Sequence, residues 1–166
     1  METTTTPDYP RGLDERDARF EKEFGKPNDR FDEMIEHLAT DGLNEKFRTF
    51  GFTFNESSRE INISKNGQFI AVIDVSLENN DSVMNVIMRF EPDIDDINGH
   101  IKRMNKLRSY ADGKNDRRTY YGAVGGMIFD ENVRDYTLKS GFYVIEPSGN
   151  TFDIAAPEGS SQPRAW

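Results

Sequence analysis

The chain has no cysteine among its 166 residues, so neither a disulfide framework nor a thiolate metal site can form. Histidine is nearly as scarce: only His37 and His100 are available, which argues against a histidine-rich metal centre. No apolar run approaches the roughly 18 residues that a membrane helix needs, and the first residues lack a basic stretch followed by an apolar one. The expectation is a soluble cytoplasmic protein with no membrane partner. No Ser/His/Asp or Cys/His nucleophile set can be assembled. The run Gly122-Ala123-Val124-Gly125-Gly126 lacks the spacing of a dinucleotide fingerprint and lies inside a strand-like segment.

What is present is charge. Charged residues make up 31% of the chain against a hydrophobic fraction of 35%, and the net charge is −9. That balance disfavours loose, charge-driven binding to nucleic acid. The distribution is uneven, however. Between positions 101 and 120, Lys102, Arg103, Lys106, Arg108, Lys114, Arg117 and Arg118 stand against Asp112 and Asp116. A basic stripe on an acidic body fits either a directed polyanion contact or the solvated face of a helix. The polar ends set the domain plan: 1–27 as a flexible start with a short amphipathic helix, 28–156 as one folded domain, and 157–166 as a tail.

Periodicity supplies the elements. Leu13, Phe20 and Phe24 among dense charges predict a short amphipathic helix, and Asn28 can cap a second one carrying Phe31, Met34, Ile35 and Leu38. Leu43, Phe47 and Phe50 continue an apolar face until Gly51 ends it. Phe52-Thr53-Phe54 and Glu60 to Ser64 alternate with period two, and Asn66-Gly67 is a strong hairpin signal. Two further strands follow, around Asp74 and Val86, joined by the polar turn Glu78-Asn79-Asn80-Asp81. Pro92 closes that region, and a long helix is expected from about Asp93 to Ala111. A strand over Tyr120–Phe129, a helix over Asn132–Lys139, a strand at Phe142–Ile145, a turn at Pro147–Asn150 and a last strand at Thr151–Ile154 complete the chain. A helix crossing between strands makes the next strand parallel to its neighbour, so the fold class is α/β with a mixed sheet covered by helices on both faces.

Asp29 to Leu38, Asp74-Val75-Ser76-Leu77-Glu78-Asn79, His100 to Met104, Tyr121 to Val124 and Gly141 to Glu146, in this order of elements, resemble the core of the PD-(D/E)XK nuclease superfamily. More narrowly, they look like a bacterial branch that joins an N-terminal coiled coil to such a domain. The resemblance implies the restriction-endonuclease-like fold: a three-strand antiparallel meander, a crossover helix and further strands. It also implies a chemistry, in which an aspartate and an acid on the next strand hold Mg²⁺, while a lysine two residues on orients the attacking water. Asp74 matches the aspartate, and Glu36 matches a helical glutamate that sometimes completes the site. The second acid, however, falls on Ile87 and the lysine on Arg89. Isoleucine cannot ligate a metal, and arginine stays protonated in a shape suited to bidentate phosphate contact.

The leading expectation is therefore a catalytically degraded nuclease-like domain that works as a binding or scaffolding module. Asp74 and Arg89 would mark the vestigial site. Nucleic acid is the candidate ligand, through Lys102, Arg103, Lys106, Arg108, Arg117 and Arg118. No cofactor is expected. The alternative is a Mg²⁺-dependent nuclease that uses Asp74 with a relocated acid such as Glu91 or Glu60. A third reading is a protein–protein interaction domain, with homo-oligomer or partner contacts through the N-terminal helix. Tyr120 and Tyr121 beside the arginines are read either as base-stacking residues or as edge packing.

Overall fold

The computed structural model describes residues 42–149, 151–157 and 163–166. The expected helices before position 40, with Glu36 and His37, lie outside the described residues. Leu43–Arg48 forms α1, which ends where Gly51 takes φ 92°, a left-handed conformation that only glycine adopts freely. Six strands follow: β1 Glu56–Lys65, β2 Gln68–Glu78, β3 Ser82–Arg89, β4 Thr119–Gly126, β5 Tyr143–Ser148 and β6 Thr151–Ala155. The 20-residue helix α2, Ile94–Gly113, crosses from β3 to β4, and α3, Glu131–Lys139, from β4 to β5.

The strands lie side by side in chain order. β1–β2–β3 is an antiparallel meander, β3–β4 and β4–β5 are parallel, and β6 turns back antiparallel. Each parallel step coincides with a helical crossover, as chain geometry demands. The turn between β1 and β2 has Asn66 at φ 53° and Gly67 at φ 78°, the two positive angles of a type I′ hairpin.

Alternation along β3 sorts the core into two layers. Met84, Val86 and Met88 face α1, packing with Leu43, Phe47, Val75, Leu77, Tyr143 and Phe152. Val83 and Ile87 face α2 and α3, packing with Ile97, Met104, Leu107, Val133 and Phe142. Leu43 and Phe47 are fully buried, and each contributes about 1.5–3 kcal/mol relative to exposure. The chain after α1 departs from the expected strand at Phe52–Phe54. These residues have no ladder partner, because their rings dock on the α1 layer instead. Phe52 stacks on Phe54 at 5.1 Å, and both meet Phe47 edge-on. β1 begins at Glu56, four residues before the expected start, and β4 stops at Gly126, where Met127 and Ile128 fold their N–H groups onto the carbonyl of Phe90.

Gly122 sits in β4 beneath the buried ring of Phe142. A β-carbon there would lie 2.5 Å from the ring and 3.4 Å from His100 Nε2. The ring is packed between His100 and Trp166, at 4.8 and 5.2 Å, and can move only by displacing one of them. Gly122→Ala is therefore expected to cost about 1–3 kcal/mol through overpacking, read as a lower urea midpoint with an unchanged m-value.

Candidate functional site

β2 and β3 pair from Glu78↔Val83 to Val75↔Val86, and the ladder stops there. At the next position the Met88 N–H donates to Asp74 Oδ2 at 2.8 Å, so a side chain replaces the backbone acceptor that a continuing strand would provide. The same level is irregular on the other side. Pairing of β1 with β2 skips from Arg59↔Val75 to Ile61↔Ile73, and the intervening Glu60 has φ 51°. Ala71 and Ile73 pack with the α2 layer, yet Val75 and Leu77, of the same parity, pack with the α1 layer. The side-chain faces slip at Asp74 with one residue unpaired on each strand, while the register of β1 on β2 shifts only further on, between Ile63 and Ser64.

Arg89, the last residue of β3, bends back into this break. Its side chain is only 8% exposed, against 20% for Asp74. Nη1 donates to Asp74 Oδ2 at 3.1 Å and to the Met88 carbonyl at 2.8 Å, and Nε lies 3.7 Å from Asp96 Oδ1. Asp96 belongs to the capping box that opens α2. Asp93 Oδ1 accepts from the Asp96 N–H, and Asp96 Oδ2 accepts from the Asp93 N–H. One guanidinium thus joins the split in the meander to the start of the crossover helix. A charge-assisted contact this shielded holds only while both partners are present.

Ile87 is 1% exposed and surrounded by hydrocarbon in the α2 layer. Glu60 is exposed on β1 beside the ladder gap, and Glu91 lies half-buried just past the end of β3. Among the described residues no three His, Asp or Glu side chains converge in a group able to hold a metal ion. The donor set does not fit Mg²⁺: Ile87 has no lone pair, and Asp74 Oδ2 already accepts from an amide and a guanidinium. The sequence pairs Asp74 with Arg89 in one cleft, and the geometry brings the two together as an ion pair.

A second polar group lies under α2. His100 is fully buried, with Nε2 3.2 Å from the Asn85 carbonyl and Nδ1 3.1 Å from Arg103 Nη1. A guanidinium can only donate, so Nδ1 is the acceptor and Nε2 carries the proton. Burial, reinforced by Arg103, holds the His100 pKa well below 6.5. Asn85 Nδ2 is buried and has no hydrogen-bond partner among the described residues.

The six expected nucleic-acid contacts divide into two sets. Lys102, Lys106 and Arg117 are exposed. Arg103 supports His100. Arg108 donates to the carbonyls of Asp116, Arg118 and Trp166 and to the Asp112 carboxylate. Arg118 bonds Asp116 through two nitrogens and reaches Glu78 at 2.7 Å. The Arg118 contact holds the Asp116 carboxyl well below the usual carboxylate range. Burial and the bond to Asp116 push the Tyr120 hydroxyl up to about 12. Tyr121 packs edge-on against Phe52 at 5.0 Å. Part of this division is local, through Asp112 and Asp116, but the contacts to Glu78 and Trp166 span 40 and 58 residues and leave no local sign in the sequence. A separate cavity of about 460 Å³, lined by Lys46, Phe50, Arg134, Glu146 and Asp153, contains neither Asp74 nor Arg89.

Comparison with protein-family models, curated proteins and solved structures finds no match to this chain.

Two outcomes follow from the geometry. Arg89→Met leaves a shielded carboxylate facing hydrocarbon and is expected to cost about 3 kcal/mol in urea unfolding, whereas the double variant Asp74→Asn/Arg89→Met should cost clearly less than the sum of the two single changes. For His100, the folded state keeps the imidazole neutral while the unfolded chain protonates it near pH 6.5. Its contribution is complete above that pH and is lost as pH falls below it, by at most about 1.4 kcal/mol per pH unit. Stability measured from pH 7 to 5 should therefore fall more steeply in the wild type than in His100→Gln.

Proposed function

We propose that this domain is a non-catalytic binding or scaffolding module on a nuclease-like core. The order of meander, crossover helix and parallel strand supports the restriction-endonuclease-like reading, and the cleft between β2 and β3 carries the functional one. The observation behind it is the contact between Arg89 Nη1 and Asp74 Oδ2 at 3.1 Å, with Ile87 buried beside it. A tethered guanidinium offsets the carboxylate's charge where a hydrolytic site would use a mobile divalent cation. The cleft thereby becomes a structural joint.

Nucleic acid is the second reading, favoured by the exposure of Lys102, Lys106 and Arg117 on or just beyond α2. Three phosphate contacts give a salt slope of about −2.7, so affinity through them would fall roughly 40-fold between about 50 and about 200 mM salt. Against a net charge of −9, such binding is confined to low ionic strength.

One set of incubations tests both readings. Purified protein with DNA or RNA and Mg²⁺ or Mn²⁺ is expected to leave the polymer intact, as is Asp74→Ala. Cleavage that EDTA stops and Asp74→Ala lacks would overturn the non-catalytic reading. Native gels of the same mixtures report binding, and retention at low salt that disappears when Lys102, Lys106 and Arg117 are neutralised would assign the ligand as nucleic acid.

A further inference from the structure

β5 joins β4 only from Ala123↔Tyr143 to Gly125↔Ile145. On that side, the first residues of β4 border a gap that β5 has not yet reached. Trp166 fills it. Its N–H donates to the Tyr120 carbonyl at 2.8 Å, and its own carbonyl accepts from the Tyr120 N–H at 3.4 Å. This reciprocal pair is the hydrogen-bonding unit of antiparallel strand addition, reduced to a single residue.

The side chains around this pair form a matched receptor. The indole Nε1 donates to Asn105 Oδ1 at 3.0 Å, and the ring stacks on Phe142 at 5.2 Å with an interplanar angle of 13°. Arg108 Nη1 donates to the Trp166 carbonyl at 3.2 Å. Two residues earlier, the Arg164 N–H donates to the Gly141 carbonyl at 3.1 Å, and its guanidinium lies 4.5 Å from the indole centroid. Gly141 has φ 92°, and a β-carbon there would fall 2.5 Å from Arg164 Cβ, so the slot requires glycine at this point. The slot recognises the segment's backbone, carbonyl and ring, while the Arg164 cation stacks on the segment's own indole and holds the aromatic ring in its docked orientation.

We propose that this slot, between α2, the start of β4 and the loop after α3, is a recognition site for an extended peptide bearing an aromatic ring two residues after an arginine. The chain's own residues 163–166 hold it in cis. The proposal gives the binding-module reading a ligand class and rests on that reading. A tethered occupant acts at an effective concentration of order millimolar, so a partner must compete with it, and the apparent affinity of the intact chain is lowered accordingly. The slot is thus a docking site with a built-in competitor.

Trp166 is the only tryptophan in the chain, so its emission reports occupancy directly in the full-length protein. Titration with the tryptophan-free peptide Gln-Pro-Arg-Ala-Tyr should shift the emission to longer wavelength as the indole is expelled into water, and Gln-Pro-Ala-Ala-Ala should not. Full-length Trp166→Ala should bind fluorescein-labelled Gln-Pro-Arg-Ala-Trp at least about tenfold more tightly than wild type, and Trp166→Ala/Asn105→Ala should lose much of that gain. Emission unmoved by millimolar peptide, or equal binding by wild type and Trp166→Ala, overturns the proposal. If Trp166→Ala does not fold by circular dichroism, the wild-type titration decides alone. Neither readout involves metal or nucleic acid, so failure here leaves the non-catalytic reading standing, and DNA cleavage would overturn that reading without changing this titration.

Discussion

Asp74 Oδ2 receives an amide from the neighbouring strand and a guanidinium from that strand's end, and the sheet is organised around this oxygen. Without the carboxylate, the Met88 N–H would lose its acceptor just past the end of the β2–β3 ladder. Without Arg89, the carboxylate would carry uncompensated charge in a mostly shielded position. The two groups are mutually dependent, and Asp96 extends the dependence to the first turn of α2. The place where an α/β sheet usually exposes reactive groups, beyond the carboxyl ends of its parallel strands, is here used to lock strand and helix together.

The arginines follow a similar pattern at the opposite end of α2. Arg108 and Arg118 bind Asp116, Glu78 and four backbone carbonyls, drawing together the loop after α2, the end of β2 and residue 166. These contacts are partly shielded and multiply hydrogen-bonded, which separates them from ordinary surface ion pairs of small value. Lysine is left to the solvated face of the helix, in keeping with its compact and strongly hydrated charge. Local charge density therefore overstates the cationic surface that this region offers to a ligand.

Much of the architecture is legible in the residues alone. Asn66-Gly67 specifies its hairpin because both positions need positive φ, and Asp93 after Pro92 marks the start of α2 because the chain can both stop a strand and cap a helix there. The parallel pairing of β3 with β4 follows from the crossover. Phe52-Thr53-Phe54 misleads because period two describes any extended chain with rings on one side, whether or not a ladder partner exists. The candidate site was half legible. The family resemblance placed Asp74 and Arg89 in one cleft, but which arginines turn inward depends on distant groups, Glu78 and the carbonyl of Trp166, as well as on the nearby Asp112 and Asp116. The docking of Trp166 beside Tyr120 is likewise long in range, and no local pattern encodes it.

The slip at Asp74 also divides the sheet mechanically. β2 pairs with β3 only from Val75 to Glu78, so the arm from Ile61 to Ile73 extends beyond the central strands as a two-stranded ribbon lying against α2. Its tip, from Ser64 to Phe69, is exposed throughout. Added length at that tip would leave the register of every other strand unchanged, at a closure cost of only about 0.6 kcal/mol per doubling of the loop. The ribbon is where this fold has room to acquire new sequence, and with it new specificity, without disturbing the core.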